Sequence, residues 1–163
     1  MFDPVWRLGL LAAAFSLGLA TPVGAGLNGG GGDANSVKRI GHATVSAVSI
    51  DGKGRKATVR RGRPITLEFD FRSDSSAWCP KCTNQIVVGY ARKTRRGLER
   101  MPGGKCVYSA SGRRLKRNVK VRMQAPEEPG RYHVIVSAPQ AYNCVRALKW
   151  RGKPRPVAAL KVR

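Results

Sequence analysis

The sequence predicts an all-β chain, an immunoglobulin-like antiparallel β-sandwich of about seven to eight strands with two disulfides. Two observations lead there. Apolar residues recur at every second position in several short segments, and glycine or proline turns bound those segments closely enough to leave little room for helices. Four cysteines, Cys79, Cys82, Cys106 and Cys144, add an even count suited to pairing.

The clearest strand has Ile65, Leu67, Phe69 and Phe71 on one face and Thr66, Glu68, Asp70 and Arg72 on the other. By the same test Val119, Val121 and Met123 alternate with Lys120, Arg122 and Gln124, and Tyr132, Val134 and Val136 alternate with His133, Ile135 and Ser137. Further strands are expected at 42–50, 56–60, 85–91, 106–108 and 157–162. Between them lie turn signals: Asp51-Gly52-Lys53-Gly54, Arg61-Gly62-Arg63-Pro64, Pro102-Gly103-Gly104, Ser111-Gly112 and Pro129-Gly130. A short, poorly capped helical stretch is expected between Ala141 and Trp150, with Ala141, Val145 and Leu148 on one side. The Pro129-Gly130 turn leads into Tyr132, the first inward residue of its strand, which is placed to bury its ring and bond its hydroxyl to nearby backbone.

Residues 1–25 read as a signal peptide. Arg7 precedes an apolar run from Leu8 to Ala20, too short for a bilayer span, and the small residues Val23-Gly24-Ala25 suit cleavage before Gly26. Asp3 departs from a positive leader and keeps an uncleaved anchor as the alternative. No other apolar run suggests a transmembrane anchor. Residues 26–36 read as a flexible glycine-rich leader and 37–163 as one sandwich domain of ordinary size. A periplasmic or secreted location follows.

The 163-residue chain carries 31 Lys and Arg against nine acids, a formal charge of +22. Such a charge favours polyanionic neighbours and says nothing of fold. The basic residues cluster at Arg60-Arg61-Gly62-Arg63, at Arg92, Lys93, Arg95 and Arg96, at Arg113, Arg114, Lys116 and Arg117, and along Lys149-Trp150-Arg151-Gly152-Lys153-Pro154-Arg155. Each falls in or beside an expected loop, and arginine, which predominates, offers phosphate or sulfate a planar fork of donors. Trp150 is placed to stack on a base or sugar. The plain alternative is a set of solvated faces. No recognition helix, zinc finger or RNP pattern points to sequence-specific nucleic-acid reading.

In an exported chain the four cysteines default to two structural disulfides, with three connectivities open. An immunoglobulin-like topology brings the loop before the Gln85 strand and the loop after the Tyr132 strand to one end, which favours Cys79 and Cys82 each bonding Cys106 or Cys144. Cys79-Pro80-Lys81-Cys82 also has redox spacing, but a strand follows it where a helix would be needed. A four-thiolate zinc site is a third reading, against which Cys106 and Cys144 lack knuckle spacing. His42 and His133 have no triad or ligand spacing around them. Glu68 and Asp70, two apart on one strand face, read as surface ion-pairing groups beside Arg60, Arg61, Arg63 and Arg72. No catalytic residue, metal or cofactor is assigned.

The segments Cys79-Pro80-Lys81-Cys82-Thr83-Asn84-Gln85-Ile86-Val87-Val88-Gly89 and Cys106-Val107-Tyr108, with Pro129-Gly130-Arg131-Tyr132 and Tyr142-Asn143-Cys144, carry a resemblance. From about Ile65 to Trp150 the chain resembles a poorly characterised family of secreted, disulfide-bonded immunoglobulin-like β-sandwich domains with a C-P-x-C-x-x-Q-I-x-V-G segment. The resemblance implies a disulfide-bonded sandwich and no activity.

The expectation is therefore a non-enzymatic binding module of the cell envelope or exterior that holds a polyanion, such as lipopolysaccharide, acidic polysaccharide or nucleic acid, through its basic loops. The densest contact is expected at Arg113, Arg114, Lys116 and Arg117. The alternatives are a structural or protein-interaction domain with incidental charge and, as an outsider, a thiol-disulfide redox protein. No protein partner is indicated.

Overall fold

The computed structural model of the chain describes residues 36–73, 79–110 and 115–163, with the side chains of residues 115 and 116 left undescribed. The segment expected to be a signal peptide, all of the expected glycine-rich leader except Ser36, Trp78 and the expected Ser111-Gly112 turn lie outside the described residues. In chain order the elements are β1 (Lys38–Ile40), β2 (Ala43–Ile50), β3 (Lys56–Val59), β4 (Pro64–Ser73), β5 (Thr83–Thr94), β6 (Gly97–Arg100), β7 (Lys105–Ala110), β8 (Leu115–Gln124), β9 (Gly130–Ser137), β10 (Gln140–Ala141), α1 (Cys144–Leu148) and β11 (Arg155–Val162). They form an immunoglobulin-like sandwich. One sheet runs β1-β2-β4-β8 and the other β10-β5-β9-β11-β3, with β6 and β7 also paired to β5.

The expected strands are all present, and β1, β6 and β10 are added to them. Those three have three, four and two residues, too few to display a period. One pair departs from the antiparallel expectation: β3 runs parallel to β11, from Lys56 opposite Ala159 to Val59 opposite Val162. β2 changes its inward set from Ala43 and Val45 to Val48 and Ile50 through a bulge at Ala47, whose φ is 50°.

The core lies between the sheets. Ile65, Leu67, Phe69 and Phe71 of β4 are buried against Ile86, Val88 and Tyr90 of β5 and Tyr132, Val134 and Val136 of β9, within one apolar cluster. At one end, Asn84 Nδ2 of β5 donates to Ser73 Oγ of β4 at 3.3 Å, a buried bond that joins the two sheets. The β9 entrance is a tyrosine corner, in which buried Tyr132 donates its hydroxyl to the Glu128 carbonyl at 2.8 Å. This matches the role expected of it.

The helical expectation is corrected in two respects. Asn143 caps α1 well, accepting the Arg146 N–H at 3.0 Å. The buried residue is Ala147, while Val145 and Leu148 are exposed, because a five-residue helix turns only one narrow side to β5 and β7.

Two buried tyrosines should respond oppositely to loss of the hydroxyl. Tyr132→Phe should cost about 1 kcal/mol, the usual net value of a hydrogen bond. Tyr90 Oη is buried without a partner among the described residues, so Tyr90→Phe should be neutral or stabilising. Urea unfolding of both variants measures the contrast.

Candidate functional site

Residues 83–94 of β5 form the middle of the second sheet. Their alternation sends Val87, Gly89, Ala91 and Lys93 to its outer face, away from the core cluster. Register places Ala91 beside His133 of β9, and His133 beside Ala159 of β11, which lies beside Lys56 of β3. One step along, Arg131 lies beside Lys161, and Lys161 beside Thr58. The result is a groove lined by Lys56, Lys93, Arg131, His133 and Lys161 around the small residue Ala159. It continues past His133 to Lys38 and Arg55.

Among the described residues, no carboxylate lines either half of this groove. Lys38 donates to the Pro156 carbonyl at 2.6 Å and Arg55 Nε to the Val157 carbonyl at 2.8 Å, so both cations are fixed by neutral backbone at the β11 bulge. Burial, and secondarily Arg55, lowers the Lys38 pKa from the ordinary lysine range. The described ion pairs lie elsewhere: Lys120 with Glu68 at 2.6 Å and Arg92 with Glu128 at 3.0 Å. The first gives Glu68 the surface pairing role expected of it, with Lys120 of the neighbouring strand as partner. Asp70 accepts from Asn118 Nδ2 at 2.9 Å.

The basic runs seen in sequence are not gathered into one surface. Lys93 enters the groove, Arg92 is paired with Glu128, and Arg95 and Arg96 occupy the exposed β5–β6 turn. Arg60, Arg61 and Arg63 line a separate cleft with Arg163. Lys149 caps α1, and Arg151 lies beside a different pocket. Arg113 and Arg114 lie outside the described residues; Lys116 sits in β8 opposite Arg72, and exposed Arg117 follows it. Sequence reading passed over Lys38, Arg55, Lys56, Arg131 and Lys161, which come from separate segments. For Lys56, Arg131 and Lys161 the available signal was their position on outward faces of strands; Arg55 and Lys38 carried none.

The cysteine pairing corrects the expectation: Cys79 bonds Cys82, and Cys106 bonds Cys144, with Cα atoms 5.3 and 5.7 Å apart. Pro80 and Lys81, whose φ is 67°, fold the first pair into a tight turn in which the Cys82 N–H donates to the Cys79 carbonyl at 3.1 Å. α1 packs on β7 and carries Cys144 to Cys106, away from that turn. A strand follows Cys82, as expected, so no helix dipole acts there in the way redox C-x-x-C sites require. With their sulfurs bonded in pairs, the cysteines supply no thiolates for the zinc alternative.

His42 is half-buried, with Nε2 lacking a partner among the described residues. Burial lowers its pKa from the ordinary histidine range, and a hydrogen bond with the Ala138 backbone opposes the shift.

No protein-family model matches the chain, and no curated protein matches it. Among solved structures it is similar to the Pseudomonas fluorescens alkylpurine DNA glycosylase AlkC bound to DNA containing an abasic site analog, with a TM-score of 0.42 and 16% identity over 77% of this chain and 31% of that one. The chain thus spans about a third of the glycosylase's length. A likeness at this level carries no functional argument.

Removing the disulfides should separate their contributions. By loop-closure entropy the 38-residue separation is worth about 4 kcal/mol and the three-residue one about 2 kcal/mol, so Cys106→Ser/Cys144→Ser should lower stability more than Cys79→Ser/Cys82→Ser in denaturant titrations.

His42 makes stability pH-dependent. Its folded pKa is depressed, so the unfolded chain binds the proton first. Stability is full above about pH 6.5 and declines as pH falls towards the depressed value. His42→Gln should flatten that decline in urea midpoints measured from about pH 8 to about pH 5.

Proposed function

We propose that this chain is an exported, non-enzymatic binding module that holds a polyanion along the outer face of its β5-β9-β11-β3 sheet. The observation that carries the reading is the groove in which Lys56, Lys93, Arg131 and Lys161 converge with no carboxylate lining it among the described residues. Four strands supply these cations, so sheet register sets their backbone positions before ligand arrives. Bringing like charges together costs free energy, and a bound anion offsets that cost.

The small residue Ala159 lets a ligand approach the sheet closely. The groove prolongs past His133 towards Lys38 and Arg55, which suits an extended ligand with repeated phosphate or sulfate groups. Lipopolysaccharide, acidic polysaccharide and nucleic acid share that chemistry. Two disulfides fit an oxidising compartment, and the apolar leader fits export.

The test is binding of the purified, oxidised protein to heparin and duplex DNA across a salt series. Affinity should fall steeply with salt, and Lys56→Ala/Arg131→Ala/Lys161→Ala should flatten the slope on DNA by about three units if each residue neutralises a phosphate, at about 0.9 per contact. Arg95→Ala/Arg96→Ala, in the exposed turn, should flatten it less. An unchanged slope in the triple variant would overturn the groove as the contact surface. Absence of binding by the parent at low salt would overturn the polyanion reading.

A further inference from the structure

The other half of the same sheet face holds a second pocket, lined by Val87 and Gly89 of β5, Arg100 of β6, Met101 to Gly104, Leu148 of α1 and Arg151. Its nearest wall to the groove is Arg100, which pairs with Ala91, two residues along β5 from Lys93. Its construction differs from that of the groove. Two guanidinium groups, those of Arg100 and Arg151, line it.

Arg100 is half-buried and donates through Nη2 to Ser137 Oγ at 2.7 Å. Its other face meets the Trp150 ring, with Cζ 6.0 Å from the ring centroid. That ring rests against Gly152, where any side chain would collide with it. The floor depends on glycine too. A Cβ on Gly104 would lie 3.1 Å from the Val88 carbonyl and 3.5 Å from Leu148 Cδ2, so glycine allows the β6–β7 link to lie close against β5. The Cys106–Cys144 disulfide anchors the loop that bears Leu148, Trp150 and Arg151.

Neither guanidinium has a carboxylate partner among the described residues, and none lines the pocket. Burial, then the nearby Arg151 charge, lowers the Arg100 pKa from the ordinary arginine range. Arginine does not deprotonate in proteins, so it cannot relieve this crowding by losing its charge.

We propose that Arg100 and Arg151 form a site for a single oxyanion head group, carboxylate or phosphate, on a small ligand whose apolar body packs on Met101, Pro102 and Leu148. The site is distinct from the polyanion groove. Arg100, held by Ser137 and Trp150, supplies a fixed fork; Arg151, exposed on the loop, closes on the head group.

The test is calorimetric titration of the oxidised protein with benzoate and phenyl phosphate, alongside acetate and inorganic phosphate as bodiless probes. The phenyl-bearing anions should bind more tightly than their bodiless counterparts, and the better of the two identifies the head group. Arg151→Ala, at an exposed position, should weaken binding at least tenfold, and Arg100→Lys, which keeps the charge but loses the fork, should weaken it severalfold. Arg131→Ala/Lys161→Ala should leave it unchanged. Parent-like binding by both Arg151→Ala and Arg100→Lys, loss of binding in the groove variant, or no binding of any probe by the parent would each overturn the proposal. Heparin binding in the same preparations reads the groove separately, so failure of one site is distinguishable from failure of the other.

Discussion

Strand β5 buries every residue from Asn84 to Ala91, so both of its faces have to be covered. Its inner face is covered by the opposing sheet. Its outer face has no third layer, and the chain covers it piecemeal with α1, the loop after it and the β6–β7 link. Gln85 makes this covering specific. Its buried Nε2 donates to Ser109 Oγ of β7 at 2.9 Å and also to Thr83 Oγ1, while Oε1 lies 3.2 Å from Cys106 Sγ and 3.3 Å from Cys144 Sγ. A disulfide sulfur has no proton to donate, so those last two are packing contacts. An amide buried in this way is costly unless satisfied, so its Nε2 bonds hold β7 to β5, and the disulfide packs against its oxygen.

Both concave sites follow from that arrangement. Where α1 and its loop cover β5, the gap between cover and sheet is the pocket of Arg100 and Arg151. Where the cover stops, the exposed half of the face is the groove of Lys56, Lys93, Arg131 and Lys161. Gly89 and Ala91 are small enough to keep this face of β5 low, so depth comes from what rises at either side.

The charge is distributed with the same economy of acids. The first sheet carries Glu68 and Asp70 on its outer face, where both find partners. Glu128 is taken by Arg92. Among the described residues, the second sheet's outer sites have no acid lining them, so the cations there are not compensated by a neighbouring carboxylate.

Local pattern by itself determined the strand content, the tyrosine corner and the inward face of β4, because each depends on side-chain period or turn chemistry within a few residues. Tyr132 and its Pro129-Gly130 turn are a four-residue matter, and Ile65 to Phe71 display their own burial. The disulfide pairing, the inward side of α1 and both cationic sites were decided only by tertiary structure. Cys144 reaches Cys106 because α1 docks on β7, a contact between segments 38 residues apart in sequence. Lys56, Lys93, Arg131 and Lys161 are neighbours because β3 runs parallel to β11 and β9 lies between β11 and β5. In a linear sequence, runs such as Arg92 to Arg96 look concentrated, yet alternation sends successive strand residues to opposite faces and disperses them. Register then assembles single cations from distant strands into one surface, and register is set by long-range pairing.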